Sequence, residues 1–71
     1  MKIINVDSEI MSGTPVFNGT RVPIQNLFDY LETGESIDEF LDDFPSVRHE
    51  QVVALLEISQ TQIRLALNDV I

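Results

Sequence analysis

His49 is the one histidine of a 71-residue chain, set between Arg48 and Glu50. A histidine serves as base, nucleophile partner or metal ligand only beside a positioned second group. The chain has no cysteine and no second histidine, so neither a thiol–imidazole pair nor a multi-histidine metal site can be built. His49 reads as a surface residue. Asp38, Glu39, Asp42 and Asp43 stand close in sequence, and paired carboxylates do acid–base work when an apolar pocket raises one pKa. Ile37, Phe40, Leu41 and Phe44 claim the buried face of that segment, which turns most of these acids toward water. Acids on one helix cannot wrap a calcium ion, and neither Gly13 nor Gly19 opens a phosphate loop, since no Gly-Lys-Ser/Thr follows. The residues predict no enzyme, no metal and no cofactor.

Binding is the remaining chemistry, and charge directs it. Twelve Asp and Glu against four Lys and Arg give a formal net charge of −8. Seven of the acids, at positions 29, 32, 35, 38, 39, 42 and 43, form a run that no cation interrupts. Such a balance opposes nucleic acid, whose non-specific affinity comes from neutralised phosphates. It favours a basic protein, which an acidic face both steers and complements. Asp38 and Asp42 are the predicted contacts of that face, with a solvated, solubilising surface as the plain alternative. Arg48, His49 and Gln51 include types that read guanine and adenine edges, so DNA contact by the third helix is the second functional reading. It is expected to be weak, or to occur only with a basic partner bound.

The elements that position these residues follow from local pattern. Lys2 to Val6 reads as a short strand. Val16-Phe17-Asn18-Gly19-Thr20-Arg21-Val22 reads as a two-residue hairpin with a type I′ turn, bracketed by Pro15 and Pro23. Gly19 is there for the turn and Thr20 for the strand. Arg21, in a chain so rich in acids, is expected to clasp carboxylates of the following helices. Ile24, Leu27, Phe28 and Leu31 predict a first helix that Gly34 stops. Ser36 and Glu39 form a capping box for a second, ended by Pro45. Ser46 can cap a third that runs to Ile71, about 35 Å at helical rise.

The third helix has a main apolar stripe of Val52, Leu55, Leu56, Ser59, Ile63, Ala66, Leu67 and Val70. A second line, Gln51, Ala54, Ile58, Gln62 and Leu65, lies about 120° away on the helical wheel. A small domain has one core to offer. Ala54, Ile58, Gln62 and Leu65 are therefore predicted to face another chain, either a second copy or a different protein.

The segments Gly13-Thr-Pro-Val-Phe-Asn-Gly-Thr-Arg-Val-Pro-Ile24, Gly34-Glu-Ser36 and Phe44-Pro45 resemble the DUF433 family of small prokaryotic proteins, over about Ile3 to Ser59. Two departures stand out: His49 replaces a small or acidic residue, and the segment from Gln60 onward does not align. The resemblance implies a mostly α fold, with an N-terminal β-hairpin followed by a three-helix, homeodomain-like (helix-turn-helix) bundle. It also implies an antitoxin that neutralises a PIN-like ribonuclease toxin, that is, a cognate basic partner. Gly19, Thr20 and Arg21 carry the family's hairpin motif. One domain is expected over 1–71, with a β element in 1–23 and helices in 24–71. The absence of cysteine makes the reducing cytoplasm the default compartment, and the broken apolar start predicts neither a signal peptide nor a membrane span.

Overall fold

The computed structural model describes the backbone of residues 1–70 and the side chains of residues 1–67. Strand β1 (Ile4–Asn5) and strand β2 (Val16–Phe17) are followed by helices α1 (Ile24–Glu32), α2 (Ile37–Asp43) and α3 (His49–Val70). The fold is mostly helical with a small N-terminal antiparallel sheet, as expected. Within that sheet Ile4 pairs with Phe17 and Asn5 with Val16.

The turn after β2 differs from the two-residue hairpin. The Thr20 N–H donates to the Phe17 carbonyl at 3.0 Å, and only Gly19 (φ 80°) has a left-handed backbone there, so a type I′ turn is not formed. The Thr20 hydroxyl explains the change. It donates to the Phe17 carbonyl at 2.8 Å and accepts from the Val22 N–H at 3.0 Å, so it replaces the carbonyl that a tight ladder would have offered Val22. The strand returns only at Val22, whose carbonyl accepts from the Phe17 N–H, and Val16 bridges Pro23.

The helix ends follow their signals. At the end of α1 the Gly34 N–H donates to the Leu31 carbonyl and the Glu35 N–H to that of Tyr30. With Gly34 at φ 84°, this is the Schellman arrangement that a left-handed glycine permits. Ser36 accepts from the Glu39 N–H at 3.1 Å and caps α2. Ser46 does not cap α3: its helix begins at His49, three residues on, and the Arg48 N–H is instead answered by Gln51. The predicted last residue, Ile71, lies outside the described residues.

The core joins the sheet to all three helices through Phe17, Val22, Leu27, Phe40, Val47, Val52 and Leu55. At its centre the Phe40 ring meets Phe17 (5.9 Å between centroids), Tyr30 (5.4 Å) and Phe44 (5.0 Å). The main stripe of α3 serves this core only as far as Ser59. Ile63 and Leu67 are 61% and 57% exposed, because the domain ends before the helix does; the Val70 side chain lies outside the described ones.

Candidate functional site

Asp29 and Glu32 on α1, Glu35 in the connecting turn, and Asp38, Glu39, Asp42 and Asp43 on α2 are all exposed. The Gly34 turn folds the two helices against each other, so the sequence run becomes an acidic, exposed surface on a two-helix unit, the acidic band. Asp38 and Glu39 occupy the first turn of α2, where the positive end of the helix dipole favours an acid. Asp42 and Asp43 stand in its last turn, and Asp29 and Glu32 in that of α1, with no base beside them. An acid at the negative end of the dipole costs about 0.3 to 1 kcal/mol. The dipole therefore does not account for these four.

Two members of the band have internal partners. Asp29 accepts from the Gln25 amide at 3.0 Å, and Asp43 accepts from the Tyr30 hydroxyl at 2.6 Å. The second bond ties α1 to α2 at the surface. The Asp43 carboxylate, then burial, then the charges of Asp43, Glu35 and Glu39 push the Tyr30 phenol up to about 12. A raised folded-state pKa means that the native state holds this proton more tightly than the unfolded chain does, whose phenol titrates near 10. Stability is thus present below pH ~10 and falls as pH rises toward ~12. Tyr30 is the one tyrosine, so tyrosinate absorbance reads it alone, and Tyr30→Phe is expected to abolish this alkaline loss in denaturation experiments.

The start of α3 holds the second group. Arg48 and His49 are exposed, whereas Gln51 is buried at 6% exposure. Gln51 is no base reader: its Oε1 accepts from the Arg48 N–H at 2.9 Å and its Nε2 donates to the Asn18 carbonyl at 3.0 Å. It also leaves the second line of α3, being sealed under the Asn18-Gly19 turn. A cleft of about 300 Å³ lies beside it, with Lys2, Asn18, Ser46 and Arg48 in its wall. Lys2 was not singled out from sequence, since nothing local links it to α3. The role of Gln51 did leave a signal, because Gln three residues past an N-cap is the return half of a capping box.

Gly19 supplies the left-handed turn position and Thr20 its buried hydroxyl bonds. Arg21 does not clasp the helices: it is exposed, and no carboxylate pairs with it among the described residues. The turn geometry sends its side chain outward while Thr20 and Val22 on either side are buried. Of the second line, Ala54 is half-buried and Ile58, Gln62 and Leu65 are exposed. Among the described residues no group of three or more His, Cys, Asp or Glu is placed to hold a metal ion, and no helix is long and apolar enough to cross a membrane.

These features define a small, acidic, mostly helical domain whose third helix is pinned to a glycine turn. The chain belongs to the DUF433 family, described as "Protein of unknown function (DUF433)", which it matches over residues 4–58. It is similar to "Uncharacterized protein y4eO" of Sinorhizobium fredii, with 33% identity over 51 residues, 72% of this chain and 23% of the relative. The chain thus spans about a quarter of that relative's length. No solved structure matches.

Proposed function

We propose that the chain is an antitoxin that neutralises a basic, PIN-like ribonuclease by covering its RNA-binding surface with the α1–α2 acidic band. The observation that carries this reading is the placement of Glu32 and Asp42, the two without the internal hydrogen bonds that hold Asp29 and Asp43, at the C-terminal ends of their helices, against the local dipole preference. Acids kept at a cost to their own helices are explained by a cationic surface that they meet. A nuclease that must hold phosphate presents such a surface, and opposite charge speeds the encounter and fixes its orientation. The resemblance in the hairpin and turn motifs supports the same role, and the absence of cysteine supports a cytoplasmic setting.

The test starts from the open reading frame next to this gene: a small basic protein encoded there is expected, and it is titrated calorimetrically against the chain together with an RNA-cleavage assay. Stoichiometric binding that stops cleavage is expected. Asp38→Lys combined with Asp42→Lys is expected to weaken binding at least tenfold, or about 1.4 kcal/mol, without loss of helical signal, since both are exposed. Unchanged affinity in the double variant would overturn the reading. Gel shifts with random duplex at about 0.15 M salt are expected to show no binding by the chain alone, because few phosphates are neutralised. Tight, salt-steep retardation there favours the alternative, a DNA-binding regulator using exposed Arg48 and His49, since Arg48 shares the wall of its cleft with a second cation, Lys2.

A further inference from the structure

Helix α3 outruns its own core. Leu55 is buried and Ser59 half-buried, but every residue from Gln60 to Leu67 is exposed, with Ile58 at 44% and Leu65 at 54%. The radius of gyration, 13.3 Å, exceeds the roughly 11 Å of a compact domain this size, as a projecting helix requires. The charge of this projection also differs from that of the body. Residues 59–71 contain one cation, Arg64, and one anion, Asp69, so the whole formal charge of −8 is carried before Ser59.

We propose that the Ala54–Leu65 face of α3 is a homodimer seam, in which two copies pack their third helices antiparallel about a twofold axis near Ser59 and Gln60. The occupant is a second copy because the seam is nearly neutral and gives a cationic partner nothing to recognise. Ala54, Ile58, Thr61 and Leu65 are spaced by four, three and four residues, the repeat of a coiled-coil seam. Antiparallel pairing sets Ala54 opposite Leu65 and Ile58 opposite Thr61, small against large at every level. Thr61 is ready for burial: its hydroxyl already donates to the Glu57 carbonyl at 3.1 Å, which leaves its methyl group to pack.

Electrostatics selects the orientation. Glu57 and Arg64, seven residues apart, flank the seam on one side, and antiparallel pairing brings each Glu57 against the other copy's Arg64, twice by symmetry. It also puts the acidic bodies at opposite ends of helices of 22 residues, about 33 Å long, where a parallel pair would place them side by side. Ile63 and Leu67 continue the core stripe on the face away from the seam and stay in water. The α1–α2 band remains free, so this inference stands whether or not the antitoxin reading does.

Sedimentation equilibrium of the full chain decides it. A dimer of twice 8.0 kDa is expected at about 100 μM, since so short a seam falls among the smaller interfaces. Glu57→Arg is expected to weaken association roughly tenfold, and Glu57→Arg with Arg64→Glu to restore it. Ile58→Asp with Leu65→Asp is expected to give monomer, and Ile63→Asp with Leu67→Asp to leave the dimer unchanged. A wild-type monomer throughout, a dimer broken by the Ile63/Leu67 pair instead, or no rescue by the exchanged charges would each overturn the seam. If the Ile58/Leu65 variant loses its helical signal, the charge exchange at exposed Glu57 and Arg64 still decides.

Discussion

Phe40→Ala is expected to leave the chain largely unfolded in the absence of a stabilising partner. Phe40 is fully buried and its ring touches Phe17 of the sheet, Tyr30 of α1 and Phe44 at the end of α2. Removing a buried phenyl ring costs about 3 to 5 kcal/mol, part transfer and part cavity. A domain of this length has roughly 4 to 11 kcal/mol in total at common per-residue stabilities, and short chains lie toward the lower end because less of their surface is buried. Edge-to-face and tilted ring packing adds to the loss, because three aromatic partners keep their positions around the void. Urea titration followed by circular dichroism checks this. A cooperative transition within about 1 kcal/mol of wild type would show that the neighbours collapse into the space. Phe44→Ala, at a half-buried ring, is the milder control.

The contrast between Phe40 and the end of α3 shows what a linear pattern carries. The helix spacing of Ile37, Phe40, Leu41 and Phe44 fixes which face is apolar, and the Gly34 and Ser36 signals fix where α1 stops and α2 starts, because each rests on neighbours within four residues. Ile63 and Leu67 obey the same spacing as Val52 and Leu55, yet they are exposed. Periodicity reports that a face is apolar and not how far the opposing surface extends. The band of acids was legible as a run, since a four-residue connection, 33–36, brings its halves together. The Tyr30–Asp43 bond and the seat of Gln51 were not, because the partners are 13 and 33 residues apart and no local rule joins them. Arg21 failed for a related reason: composition counts available carboxylates, but the direction of a side chain is set by its buried neighbours Thr20 and Val22.

Gln51 joins the Asn18-Gly19 turn to the third helix by a side-chain hydrogen bond, and its replacement gives the second large expected effect. One amide does two tasks: its oxygen caps α3 by accepting from the Arg48 N–H, and its nitrogen donates to the Asn18 carbonyl across 33 residues. Gln51→Ala removes a cap worth about 1 kcal/mol and leaves a partly buried carbonyl without its donor, at about 1 to 3 kcal/mol more. The expected total is about 2 to 4 kcal/mol, read as a lower urea midpoint. Gln51→Glu separates the two tasks. A carboxylate still accepts from Arg48 but faces the Asn18 oxygen with no proton, so at neutral pH the variant keeps the cap and loses the tie. When protonated, the same carboxyl regains a donor. Burial and the Asn18 oxygen favour the protonated form over the pull of the helix N-terminus, so the folded-state pKa is expected above the unfolded value of about 4.3, and linkage then makes its contribution grow as pH falls. The stability gap between wild type and Gln51→Glu is expected to narrow from pH 7 toward pH 4. A gap that stays constant or widens over that range would show that the Asn18 bond contributes nothing and that Gln51 acts as a cap alone.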